Sequence, residues 1–224
     1  MPTLFLAGQL RTELLWKNQQ ALADGIATLR SHDTVRELTH ATFNAAPPRF
    51  ALVAHGMAGF VAFEMLRQQP ERIEKLVLMS VLAPADTPKQ TARREGYLRL
   101  VAEGRYEDVI EERIPMLVHP GRVNDAPLIG DLRSMARDIG PEDFLHQQRA
   151  IMSRPDSRPG LAAISCPVLL IYGRADAITT WEHQQEMLSA VPDVRLEVIE
   201  DSGHMLPLER PESVNALLRN FLSA

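Results

Sequence analysis

Short apolar runs recur along this chain, each closed by turn residues and followed by apolar residues at helical spacing. That alternation marks βα units wound into a parallel sheet. Six strands are expected: Thr3–Ala7 (TLFLA), Ile26–Arg30 (IATLR), Phe50–Ala54 (FALVA), Lys75–Ser80 (KLVLMS), Val168–Tyr172 (VLLIY) and Arg195–Glu200 (RLEVIE). The runs are continuously apolar, with little polar alternation, as strands covered on both faces are. Between them the spacing predicts helices over Glu13–Ala23, Thr34–Ala45, Met57–Gln68, Thr180–Ala190 and Pro211–Leu222. The last would also fit a partner-binding surface, and packing on the sheet is the reading adopted. The fold class is therefore α/β: a mostly parallel, doubly wound sheet of about six strands.

The rhythm breaks once. Between Ala83 and Ile164 no convincing strand occurs, and four stretches carry helical spacing: TPKQTARREGYLRLVAEG, YEDVIEERIPMLV, APLIGDLRSMARDIG and PEDFLHQQRAIMSRP. A long insertion between core strands is more often functional than idle, because ligand sites gather on segments held by a rigid scaffold. The expected organisation is a core of residues 1–82 and 163–224 with a helical cap, residues 83–162, inserted before the penultimate strand. SRPDSRPG (Ser153–Gly160) reads as the return linker.

Composition excludes several classes. A net charge of −5, with no Lys/Arg cluster interleaved with aromatics, argues against nucleic acid as a partner. The one cysteine, Cys166, allows no internal disulfide and reads as a buried apolar filler before Pro167. The first residues lack a basic start and a long apolar stretch, and no run reaches the roughly 18–20 apolar residues that span a bilayer. A cytoplasmic location is the expectation. No metal-ligand spacing and no Gly-rich phosphate loop is present, so neither metal nor cofactor is implied.

Three segments carry candidate chemistry. In AHGMAG, Ala54 to Gly59, a tight turn joins an apolar strand to an amphipathic helix. Such a turn aims helix N-terminal N–H groups at developing negative charge. Met57 N–H would be one oxyanion donor, and Gln9 in LAGQL, after the first strand, would supply the second. Alone, this stretch also reads as a glycine-bearing βα turn without catalytic meaning. IYGRADAIT places Asp176 after the fifth strand and DSGHMLPLERPE places His204 after the sixth, both where side chains reach the crevice of an open α/β sheet. Turn, then Asp, then His is the chain order of the α/β-hydrolase triad.

On these residues the chain resembles the α/β-hydrolase superfamily, over nearly its whole length. AHGMAGF resembles the family's GHSMGG elbow, YGRADAIT its acid loop and SGHMLPLERPE its histidine loop; the sequence as given starts at the LFLAGQL strand without the leading β-hairpin. The resemblance implies that Asp176 orients His204, that His204 is the general base, and that Gln9 and Met57 give backbone oxyanion donors. Gly56 takes the nucleophile's place. His55 matches a residue common before the nucleophile, with a structural hydrogen-bonding role. Ser80 is a substitute nucleophile in principle, though the family pattern puts it beside the pocket.

A glycine there leaves three readings open. The chain could be an esterase-like enzyme inactivated by loss of a serine, a hydrolase of a small carboxylic ester or related acyl substrate that uses water directly, or a non-catalytic binder of a small molecule or partner. Cap residues Met116, Leu117, Met135, Phe144 and Met152 are expected on the pocket wall. Arg149, Arg154 and Arg158 could pair with a substrate carboxylate, but solvated helix faces are the reading adopted. Substrate identity and oligomeric state are not specified by these residues.

Overall fold

In the computed structural model, which describes residues 1–223, six strands form one parallel sheet. They are β1 (Thr3–Ala7), β2 (Gly25–Thr28), β3 (Phe50–His55), β4 (Ile73–Met79), β5 (Val168–Gly173) and β6 (Val194–Ile199), in the order β2-β1-β3-β4-β5-β6. The expected strands are all present, with ends shifted by one or two residues. β2 stops at Thr28, and Arg30 instead pairs with Asp138 and Asp143.

Successive side chains of a strand point to opposite faces, so each central strand divides between two cores. Leu6, Leu52, Leu76, Leu78 and Leu170 join one, while Phe5, Val53, Val77, Met79 and Ile171 join the other. The register Phe5↔Val53↔Val77↔Leu169 keeps each set on its face. Full burial of such a side chain contributes about 1.5–3 kcal/mol, and a one-residue slip would invert both sets together. The first face is covered by α1 (Val35–Ala45), α2 (Ala58–Gln68) and α6 (Trp181–Ala190), through residues such as Leu38, Met65 and Met187. The second is covered by α8 (Pro211–Ser223), through Val214 and Leu218, and by helices that follow β4. The sheet is doubly wound.

Between β4 and β5 lie α3 (Pro88–Ala102), α4 (Tyr106–Leu117) and α5 (Ala126–Ser153). Thr34 and Thr87 open α1 and α3 with capping boxes to Glu37 and Gln90, each worth about 1 kcal/mol. α5 is two helical segments joined at Gly140, whose φ of 75° and ψ of 170° fall outside the helix, with Pro141 next. A proline has no N–H to donate back across that joint. The break lies where DIG and PED part in the sequence.

One expected helix is absent. Glu13–Ala23 forms two short 3-10 turns, Glu13–Trp16 and Gln20–Leu22. Tertiary partners override its helical spacing. Trp16 is fully buried edge-on to Phe5, with ring centroids 5.0 Å apart. Gln19 is also buried, and its Nε2 donates to Asn215 Oδ1 at 2.9 Å. Tight i to i+3 bonds such as Gln19 N–H to Trp16 O fit that path.

The strand order reverses between β1 and β3. The chain leaves β1 towards β2 on one side and β3 towards β4 on the other. Loops at the carboxyl ends of these strands therefore part and leave a crevice, the usual ligand site of an open α/β sheet. Among the described residues no helix is long and apolar enough to cross a membrane.

Candidate active site

The crevice begins at the turn after β3. Gly56 has φ +56°, a left-handed conformation that costs a residue with a Cβ about 1–2 kcal/mol. Its N–H donates to Met79 O at 3.0 Å, tying the turn to the end of β4. Met57 then opens α2. Gly59, one turn on, lets α2 cross close to the chain after β4, since a Cβ there would stand 2.2 Å from Val81 Cγ1.

Asp176 and His204 approach this turn from the far side. α7 (Leu206–Glu209) follows His204 directly, and its Glu209 is a buried carboxylate that gathers three N–H donors. These are Gly203 at 2.9 Å, Met205 at 3.2 Å and His119 at 2.7 Å. His204 is therefore gripped by bonds on both flanking residues. Its Nδ1 lies 2.9 Å from Asp176 Oδ2. Asp176 also accepts from the N–H groups of Ile178 and Thr179 and from Thr179 Oγ1. Burial alone would raise the Asp176 pKa, but the neighbouring His204 charge and these hydrogen bonds outweigh it and lower the value to about 2. An ionised carboxylate at Nδ1 selects the tautomer with the proton there, leaving the Nε2 lone pair free. That nitrogen faces Gly56, 3.3 Å from the point a Cβ on residue 56 would occupy.

Two backbone N–H groups belong to residues that line the same cavity as His204. Among the described residues, neither the Gln9 nor the Met57 N–H donates to a protein acceptor. Gly8 allows their approach: a Cβ there would stand 2.5 Å from His55 O and 3.2 Å from Met57 N. The next residue, Leu10, has φ +57° and gives its N–H to Gln147 Oε1 at 3.0 Å. Buried Gln147, from α5, also donates Nε2 to Leu29 O at 2.7 Å, so it braces this loop.

Gln9, Gly56, Met57 and His204 all line one cleft, open to solvent. Ser80 is on its wall, buried, with φ +52° and an Oγ that has no hydrogen-bond partner. Met116 and Leu117 line it as expected; Met135, Phe144 and Met152 do not, the first two being taken into the core beneath. Arg149 and Arg158 are occupied outside the cavity by Asp33, and by Asp156 and Glu186. Arg154 is not solvated: it is buried against Asp86 at 2.7 Å with its guanidinium 4.3 Å from the Phe60 ring centre. Cys166 is buried, and burial raises its pKa to about 11.

A model of the alpha/beta hydrolase family matches residues 12–217. The chain belongs to that family. A 2-hydroxy-6-oxo-6-phenylhexa-2,4-dienoate hydrolase of Comamonas testosteroni is 28% identical over 181 residues, 78% of this chain and 63% of that protein. The chain thus matches less than two thirds of that relative's length. A pimeloyl-(acyl-carrier protein) methyl ester esterase of Nitrosomonas europaea is 29% identical over 188 residues, 80% of this chain and 74% of that protein. Among solved structures, a thermophilic esterase from Thermogutta terrifontis, described as malate bound, superposes with a TM-score of 0.89 at 26% identity. That match covers 100% of this chain and 89% of the other.

For a hydrolase-family site, two groups of residues escape a motif reading. Arg11, Arg93, Arg94 and Arg113 line the cavity, while Gln147 and Glu209 hold the loops that shape it. Arg113 carried a signal: Ile110, Arg113, Ile114 and Leu117 share one stripe of α4, and the other three are buried. His55 has the structural role expected of it. Its Nε2 lies 2.8 Å from His204 O, and Nδ1 has no partner. Burial first, then the neighbouring charges of His204 and Arg11, lowers its pKa from 6.5 to about 3. Between those values only the unfolded chain takes up the proton, so stability falls as pH falls through this window. The expected slope is about 1.4 kcal/mol per pH unit. Asp176 adds its own loss only below its unfolded value of 3.8. Urea titrations from pH 7 to pH 4 should show that slope and its reduction in His55→Gln, whose amide can keep the bond to His204 O; equal slopes would refute the assignment.

Proposed function

We propose that this chain hydrolyses small carboxylic esters or related acyl compounds, with water in place of a serine nucleophile. The supporting observation is His204 Nε2, aligned by Asp176 and set 3.3 Å from where a side chain on residue 56 would begin. Without a Cβ at Gly56, that space suits a water.

His204 Nε2 takes a proton from the water as its oxygen attacks the ester carbonyl carbon. The carbonyl oxygen gains the charge and meets the N–H groups of Gln9 and Met57. The tetrahedral intermediate then expels the alkoxide, which recovers the proton from Nε2, leaving acid and alcohol. General-base catalysis of this kind contributes about 10²–10⁴-fold, and an oxyanion donor about 10²–10³-fold. Residues 83–162 act in this reading as the cap over a core of residues 1–82 and 163–224, with Met116, Leu117 and Ile151 as its apolar contribution to the pocket.

Wild-type turnover of p-nitrophenyl acetate and butyrate is expected to fall about 10²-fold or more in His204→Ala. A wild-type rate that ignores the substitution rejects the proposal. Ligand binding in the pocket with no turnover of any ester would assign it to binding instead.

A further inference from the structure

The cavity wall is charged in one sense only. Four arginines, Arg11, Arg93, Arg94 and Arg113, face it, and no Asp or Glu lines it. Arg94 is matched, by Asp86 at 2.6 Å and by Gln148 Oε1 at 3.2 Å. Asp86 is shared with Arg154 and is thereby occupied.

Arg11 and Arg113 are not matched. Among the described residues neither has a carboxylate within 4.0 Å. Arg11 is 2% exposed and donates only to Leu10 O and Met205 Sδ, the residue after His204. Arg113 has a buried Nε with no acceptor, and its guanidinium lies 5.5 Å from the Tyr97 ring centre. Burial and the charge of Arg113 lower the pKa of Arg11 to about 9, and burial with the charges of Arg94 and Arg93 lowers that of Arg113 to about 10. Arg11 is a buried cation and Arg113 a half-buried one, neither with a counter-charge; that is costly, and a ligand anion is what would relieve both.

The two come from separate parts of the chain, Arg11 from the loop after β1 and Arg113 from α4. Beside them the wall is apolar, at Leu82, Met116, Leu117 and Ile151. A bare inorganic anion would leave that surface uncovered. An organic acid would place its chain there and its carboxylate in the planar donor forks of guanidinium groups.

We propose that Arg11 and Arg113 form an anion subsite, and that the substrate is an ester carrying a free carboxylate, such as a half-ester of a short dicarboxylic acid. This rests on the hydrolase reading above and names its substrate class.

Binding can be tested without turnover. Glutarate, its neutral diamide and inorganic phosphate are titrated calorimetrically into wild type and Arg113→Met, with folding checked by circular dichroism. Arg113 is chosen because it is half-buried, whereas loss of the fully buried Arg11 threatens the fold. Glutarate is expected to bind wild type at least about tenfold more tightly than the diamide or phosphate, and about 10- to 100-fold more weakly in the variant. Diamide binding as tight as glutarate overturns the subsite. Phosphate binding as tight as glutarate overturns the carboxylic class. In wild type, mono-p-nitrophenyl glutarate should exceed p-nitrophenyl pentanoate in kcat/KM by at least about tenfold, a ratio that collapses in Arg113→Met. Glutarate binding with neither ester hydrolysed would strike the hydrolase reading and leave the subsite standing. Hydrolysis of both at equal kcat/KM would do the reverse.

Discussion

Gly56→Ser is expected to raise turnover of p-nitrophenyl acetate by about a hundredfold or more. The new Cβ would lie 3.3 Å from His204 Nε2, so its hydroxyl would start within reach of the base. That contact is tight, and the imidazole must yield by a few tenths of an ångström. The backbone is already turned to φ +56°, so a Cβ adds strain of about 1–2 kcal/mol, which lowers Tm by roughly 2–8 °C in a chain of this size. Loss of stability with gain of activity is the joint signature, together with a burst of p-nitrophenol and a covalent adduct with a phosphonate ester. A folded variant that gains neither rate nor adduct would show that the turn does not present residue 56 to the base.

The second large effect is structural in origin. Gly173→Ala should cost about 3 kcal/mol or more and abolish any His204-dependent activity. A Cβ at the end of β5 would stand 2.1 Å from Gly203 O and 2.7 Å from Ser202 O, and backbone atoms cannot rotate aside as a flexible side chain can. The only relief is to push the His204 loop away from the Asp176 loop. That loop is also pinned below, because a Cβ on Gly203 would already meet His119 N at 2.6 Å. A displacement near 1 Å at a reacting group can cost about 10²-fold in rate. Thermal melting and the activity of Gly173→Ala in a Gly56→Ser background would measure both parts. Wild-type Tm and rate together would refute the packing argument.

Much of the architecture was readable because burial is written twice into each central strand. Phe5 and Leu6, or Val77 and Leu78, face opposite cores, so the runs are apolar without alternation. Asp176 follows such a run and His204 follows the part-exposed strand β6, and topology brings the two loops to one edge of the sheet. The segment Glu13–Ala23 was misread because its helical spacing is real but its side chains answer to other elements, Gln19 to Asn215 and Trp16 to Phe5. Arginines defeat the reading for a related reason. Arg154 looks like a helix-surface charge in one dimension, and only the folded chain shows Asp86 waiting for it.

Gln147 sets a limit on how this chain can be rebuilt. Its one amide satisfies Leu10 N–H and Leu29 O, which follow different strands, and it belongs to the long helix between β4 and β5. Losing it would orphan two buried backbone groups, at about 1–3 kcal/mol each. The helical segment is therefore not a detachable module. A chimera that borrows it from another protein to change selectivity would also exchange the brace of the Gln9 loop, and would need a glutamine grafted at the matching position to keep that loop in shape.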